Sequence, residues 1–247
     1  MKNPDRWKPS KFIFVKGKLV ASRNKGEVSN SSRFVVDLVA AQYQRYLSEH
    51  VSGRLVDLGC GKAPLYGAYR PYVTECICVD WPGSIHENQH MDQTCDLNIA
   101  LPFESKHFNT IILSDVLEHI FYPMQLWNEM FRILQPGGKL IMNVPFLYKL
   151  HETPHDYFRY TKFALKEFAS TSGFETVQID EIGGLPEVFT DLASKFFYPI
   201  PVVGSILSNL AQYLGKVFLK VPFGNRLSRK TSEDYPLGYF MIVRKPT

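Results

Sequence analysis

Cysteine is scarce. Four residues in a chain of 247 cannot build the disulfide framework of a small secreted scaffold. Cys60, Cys76, Cys78 and Cys95 lie in or near apolar runs. Cys76 and Cys78 are expected to point to opposite layers and so not to share a metal ion. The stretch Met1 to Lys8 lacks the apolar segment of a signal peptide, so a reducing, cytoplasmic setting is expected. Charge of one sign is also missing. With 28 Lys and Arg against 24 Asp and Glu, the net charge is +4 and no long basic run occurs, which argues against nucleic acid as a partner. No internal repeat or low-complexity tract appears. What remains is ordinary globular composition, 45% hydrophobic and 21% charged, with length for one α/β domain and an insertion.

The informative segment is Arg54-Leu-Val-Asp-Leu-Gly-Cys-Gly-Lys-Ala-Pro64. Leu55 to Leu58 read as a buried strand. Gly59 and Gly61 then permit a sharp turn and a close approach of the backbone to a ligand. A nicotinamide dinucleotide fold would want a third glycine where Pro64 stands. A second strand, Cys76 to Asp80, ends in an acid about 20 residues beyond the glycines, where an open α/β sheet places a carboxylate for two ribose hydroxyls. Asp96 and Leu97 follow in a loop. Phe108 to Ser114 is a further strand ending in Asp115, followed by Val116-Leu-Glu-His119. Leu134 to Pro145 contains a helix stop, a Pro-Gly-Gly turn and another strand.

Taken in this order and spacing, residues 53–181 resemble the class I S-adenosylmethionine-dependent methyltransferases, and among them the type 11 methyltransferase domain. The family's loop carries a third glycine where this chain has Ala63. The resemblance implies a Rossmann-like, doubly wound α/β fold with a seven-stranded sheet whose last strand is antiparallel. It implies S-adenosyl-L-methionine as cofactor. Gly59, Cys60 and Gly61 would pass under the methionine moiety, and Asp57 would brace that loop. Asp80 would take the ribose hydroxyls, with Trp81 beside it. Asp96 and Leu97 would meet the adenine, while Ser114 and Asp115 would lie where methyl donor and acceptor join. Each acid also has a plainer role: Asp80 as a strand-end turn, Asp96 as a loop cap, Asp115 as a helix cap.

Along the chain, residues 1–30 read as a flexible or partly ordered arm, and residues 31–182 as the cofactor-binding core with a helix from Ser31 or Ser32 to about Glu49. Thr161 caps a helix through Ser170. Residues 173–180 form the sixth strand, residues 183–235 an apolar helical insertion, and residues 236–247 the last strand, near Gly238 to Arg244, and the C-terminus.

Two features invite other chemistry. His151-Glu-Thr-Pro-His155 matches the zinc peptidase pattern, which needs both imidazoles on one helical face. Pro154 and the restricted Thr153 before it oppose a helix, so no metal is expected there. The loop follows the fifth strand at its carboxyl end, where open α/β folds bind ligands, and similar His-Asp-Tyr-Phe-Arg-Tyr-Thr stretches occur in the resembling family. His151, Tyr157 and Arg159 are therefore substrate-side residues, and His119 or His155 is the catalytic base, with no basis in the sequence for choosing between the two.

The second feature is Phe196 to Gly215, 20 residues without a formal charge. Its prolines and its Ser, Asn and Gln residues argue against a bilayer span. From Val202 onward the spacing predicts an amphipathic helix, with Val203, Ile206, Leu207, Leu210, Tyr213, Leu214, Val217 and Phe218 on one stripe. Lys216, Lys220, Arg226, Arg229 and Lys230 follow. Residues 196–230 fit a lid, a homodimer face or peripheral contact with an anionic membrane. The expected activity is O-methylation of a small molecule, a sugar or a lipid-linked glycan precursor. The alternative is a membrane-associated scaffold that binds the cofactor without catalysis.

Overall fold

The computed structural model describes residues 1–83 and 89–247. Its first element is a hairpin of β1 (Phe12–Val15) and β2 (Lys18–Ala21), followed by α1 (Arg33–His50), β3 (Gly53–Leu58), the short α2 (Tyr66–Tyr69), β4 (Val73–Asp80) and β5 (Gln93–Thr94). Then come β6 (Phe108–Ser114), α3 (Pro123–Ile133), β7 (Leu134–Pro145), α4 (Lys162–Thr171) and β8 (Glu175–Ile182). Helices α5 (Leu185–Phe197), α6 (Gly204–Lys220) and α7 (Pro222–Thr231) precede β9 (Gly238–Arg244).

The main sheet has seven strands in the order β5-β4-β3-β6-β7-β9-β8. Strands β5, β4, β3, β6 and β7 pair in parallel, and β9 is inserted antiparallel between β7 and β8. The strands are apolar on both faces because each face carries a helical layer. Leu55 and Ile112 pack with Tyr43, Leu47 and Phe240 on the α1 side. Val56 and Ile111 pack with Leu126, Trp127 and Met130 on the α3 side. Thr161 caps α4, its Oγ1 accepting from the Ala164 amide at 3.3 Å.

Residues 1–30 do not form a loose arm. Lys16 (φ +50°) and Gly17 (φ +75°) make the two-residue turn that a right-twisted hairpin prefers, and Phe12 is 1% exposed against Tyr43. Trp7 Nε1 donates to the Ala63 carbonyl at 3.0 Å, and Lys62 meets Glu27 at 3.0 Å, so this segment braces the glycine loop. Cys76 and Cys78 also differ from expectation. Residues two apart on a strand share a face, and their sulfurs lie 3.8 Å apart beside Tyr69. Val116 to His119 is not the start of a helix: Leu117–His119 is a single 3-10 turn, and Asp115 makes no side-chain cap to it.

Helix α6 is amphipathic, but its faces are reversed. Gly204, Ser208 and Gln212 are buried, whereas Ile206, Leu210, Tyr213 and Leu214 are exposed. Ser208 Oγ lies 2.7 Å from Ser194 Oγ of α5, and Gln212 Nε2 donates to the Asn30 carbonyl at 2.5 Å. No helix among the described residues is long and apolar enough to cross a membrane.

Candidate active site

The glycine loop leaves β3 and crosses the end of β4. The amides of Gly59 and Cys60 donate to the Val79 carbonyl at 2.8 and 3.0 Å. Gly59 has φ +70°, and a Cβ there would sit 2.5 Å from Val116 Cγ2, so only glycine fits between the loop and the turn after β6. Ala63 accepts φ +50° in this loop. Asp80 is buried at the carboxyl end of β4. Its Oδ2 accepts from the Gly61 amide at 3.0 Å and its Oδ1 from the Trp81 amide at 2.8 Å. A carboxylate fixed between the loop and the strand end suits a ligand that approaches the loop with paired hydroxyls.

Asp57 points away from the crevice into the α1 layer. It accepts from the Tyr69 hydroxyl at 3.0 Å, and burial raises its carboxyl to about 7. Leu97 is buried and Asp96 is exposed. One Asp96 oxygen is occupied by the amide and side chain of Asn98, at 2.8 and 3.0 Å, so the residue caps its own turn.

Past the loop, the ends of β6 and β7 open on a cavity of about 300 Å³ lined by Lys11, Val36, Asp115, Asn143, Tyr148 and His151 among others. Asp115 adopts φ +53° and receives Lys11 Nζ at 2.6 Å on one oxygen and Asn143 Nδ2 at 2.5 Å on the other. Asn143 Oδ1 in turn accepts from Tyr43 at 2.6 Å and Ser114 at 2.8 Å. Burial depresses the Lys11 ammonium, but Asp115 more than offsets this and its pKa is raised. Lys11, Asn143 and Tyr148 were not singled out from sequence. Asn143 did leave a signal, as the one polar residue in the apolar run Leu140 to Val144.

The histidines separate into two groups. His119 and His151 lie edge to face at 4.8 Å beside Glu118, which is fully buried. His151 Nε2 is 3.5 Å and His119 Nε2 3.8 Å from Glu118 Oε1. Burial raises the Glu118 carboxyl. Burial also depresses the His151 imidazole, but Glu118 and Asp156 outweigh this and raise it. His155 is instead on the rim, against Trp81 at 5.1 Å and with Nδ1 2.9 Å from the Tyr157 hydroxyl. The literal His-Glu-x-x-His match is therefore not a shared helical face: Glu152 has φ +50°, and the two imidazoles turn to different neighbours. Arg159 is engaged by Asp156 at 2.5 and 2.7 Å and by the Lys149 carbonyl, which keeps it from projecting into the cavity as a lone cation. Arg159 holds the Asp156 carboxyl down to about 2. Sequence reading passed over Glu118 and Asp156, although Glu118 stands directly before His119.

Residues 56–142 match the model of a methyltransferase domain family, and this span runs from β3 through the turn after β6 into β7. The chain carries a methyltransferase domain. This match, together with the fold, points to S-adenosyl-L-methionine as the cofactor. Solved structures share the fold. One is a chain of the complex between the Trm112 methyltransferase activator of Haloferax volcanii and a candidate methyltransferase, 18% identical with a TM-score of 0.58, covering 85% of this chain and 90% of that one. A SAM-dependent methyltransferase of Archaeoglobus fulgidus is 17% identical with a TM-score of 0.56, covering 84% and 93%. A phosphoethanolamine N-methyltransferase of Haemonchus contortus, in complex with phosphomonomethylethanolamine and S-adenosylhomocysteine, is 14% identical with a TM-score of 0.54, covering 91% and 59%. No curated protein sequence matches this chain.

Proposed function

We propose that this methyltransferase O-methylates a small hydroxyl-bearing acceptor, a sugar or a lipid-linked glycan precursor, seated in the cavity between α1 and His151. The observation that carries this reading is that cavity. It lies at the carboxyl ends of β6 and β7, and the Asp115–Val116 turn joins it to the glycine loop at Gly59. Gly59, Gly61 and Asp80 would hold the cofactor, which would supply a sulfonium methyl to the acceptor oxygen, the S–CH₃ bond being exchanged for an O–CH₃ bond with loss of the hydroxyl proton. The chain's own part is then positioning, water exclusion and proton removal. Lys11, Asp115 and Asn143 form a rigid polar wall for the acceptor. The Glu118–His119–His151 cluster is the proton-handling group, since His155 stands on the exposed rim with Trp81 and Tyr157, where it would frame the acceptor's entry.

A lipid surface as the source of the acceptor is favoured by the insertion. Besides the stripe of α6, Phe189, Leu192 and Phe196 of α5 and Phe223 of α7 are exposed, and the exposed Lys220, Arg226, Arg229 and Lys230 lie close to them in sequence. Such a face lies flat on an anionic bilayer, with the cations at the headgroups. Incubation of the chain with methyl-labelled S-adenosylmethionine and a lipid extract tests this directly. Label in the organic phase as an alkali-stable ether is expected; label only in water-soluble sugars removes the lipid source, and label on nitrogen removes the oxygen acceptor.

A further inference from the structure

Glu118 is the side chain near the cavity whose charge is least accounted for. Among the described residues neither of its oxygens accepts a hydrogen bond, although the residue is fully buried. Its acidic neighbours have cations: Asp115 has Lys11 and Asp156 has Arg159. Among the described residues the ion-pair partners of Glu118 are two imidazole nitrogens, at 3.5 and 3.8 Å. A buried carboxylate in this position calls for a compensating positive charge.

Both rings are turned to supply lone pairs around such a charge. His119 Nδ1 lies 2.9 Å from the His155 carbonyl, which can only accept, so Nδ1 holds the proton and Nε2 is a bare donor of electrons. Among the described residues that buried Nε2 has no hydrogen-bond partner, with the Glu152 carboxylate 4.0 Å away. His151 Nδ1 lies 3.3 Å from Asp156, which Arg159 clamps, in ion-pair range but without a hydrogen bond, and its Nε2 faces Glu118. Carboxylate and carbonyl partners on the outer nitrogens are how metal-ligating histidines are oriented. One ligand atom from each of Glu118, His119 and His151 lies within 4.8 Å of the others. Around a common ion at about 2.1 Å in tetrahedral geometry, ligand atoms are about 3.4 Å apart, so the widest pair must close by about 1.4 Å to complete the set.

We propose that Glu118, His119 and His151 hold a divalent transition-metal cation, of the zinc or iron class, whose remaining coordination positions open toward the acceptor cavity. Two imidazoles and one carboxylate with open positions suit these ions better than magnesium or calcium. A cation there acidifies a hydroxyl brought against it and so takes over the proton removal that the three side chains would serve as bases without it, and the site selects oxygen acceptors; this role rests on the methyl-transfer reading, whereas the binding of the ion does not. The site is distinct from the literal peptidase match, because it takes His151 but not His155.

The test uses the metal-stripped full-length chain, titrated with Co²⁺ and followed by visible absorbance, with S-adenosylhomocysteine binding measured by calorimetry on the same samples. One Co²⁺ per chain, displaced by Zn²⁺, is expected. Glu118→Gln and His151→Ala should each weaken Co²⁺ by roughly 100-fold or more, and Asp156→Asn by about 10–100-fold. His155→Ala should leave Co²⁺ binding unchanged, and all four variants should still bind S-adenosylhomocysteine. No stoichiometric Co²⁺ or Zn²⁺ in a chain that binds S-adenosylhomocysteine overturns the metal site and leaves methyl transfer standing. Equal loss of Co²⁺ with His155→Ala also overturns it. Tight Co²⁺ without S-adenosylhomocysteine binding keeps the site and removes the methyltransferase reading.

Discussion

Helices α1 and α6 follow opposite rules. Helix α1 buries Val36, Val39, Tyr43 and Leu47 against the sheet and turns its polar side outward. Helix α6 buries Gly204, Ser208 and Gln212 and leaves Ile206, Leu210, Tyr213 and Leu214 in the open. The first is held by apolar burial. The second is held by backbone approach through small residues and by a hydrogen-bonded network: Gly215 leaves no room for a Cβ beside Thr190, Ser194 bonds to Ser208, and Gln212 donates to Ser194 and to the Asn30 carbonyl. A helix that spends its polar side on its own fold keeps its apolar side for something else. The comparison teaches that an amphipathic pattern in sequence gives a helix but not the direction in which it faces.

The sharpest break of this comparison is a similar truncation on each helix. Leu47→Ala should cost about 2–5 kcal/mol by denaturant unfolding, because it empties a packed site in the core. Replacing Ile206, Leu210 and Leu214 together by Ser should leave stability nearly unchanged while abolishing binding to anionic vesicles. A triple variant that unfolds as readily as Leu47→Ala would place those side chains in a core.

The α1 layer holds one ionisable group that sharpens the contrast between apolar and polar burial. Folded Asp57 keeps its proton to about pH 7, whereas the unfolded carboxyl releases it near 3.8. Between these values the folded state binds more protons, so stability should fall by about 1–4 kcal/mol as pH rises through 4 to 7. Asp57→Asn should flatten that slope in urea titrations at several pH values, and an unaltered slope would assign it to another group.

A smaller effect is expected from the polar anchor of α6. Gln212→Ala leaves the Asn30 carbonyl without this donor and should cost about 1–3 kcal/mol, read by thermal unfolding. Smaller again is the charge contribution to vesicle binding, about 1 kcal/mol per Lys or Arg near the surface. Arg229→Gln with Lys230→Gln should weaken binding at low salt and matter little at high salt.

Much of the framework was legible in the sequence because it rests on local signals. Apolar runs ending in acids gave β3, β4 and β6 and their order, and the glycine pair gave the turn. Gly238 to Arg244 was legible as the last strand because both its faces are apolar. What escaped depends on contacts distant in sequence. The N-terminal hairpin owes its order to Tyr43 and to the Ala63 carbonyl, neither of which a polar, basic segment announces. Glu118, His119 and His151 meet across more than 30 residues, through a loop whose own motif suggested a different pair. Arg159 and Asp96 also have local partners, Asp156 and Asn98, that no pattern in the sequence announces.

The measurement closest to the central claim is calorimetry of the chain with S-adenosylhomocysteine and, separately, with NAD, repeated on Asp80→Ala. Saturable binding of S-adenosylhomocysteine alone is expected, weakened by about 1.5–3 kcal/mol in a variant that still folds, since charge-assisted bonds to the ribose are lost. Binding of NAD in place of S-adenosylhomocysteine, or an affinity indifferent to Asp80, would contradict the account.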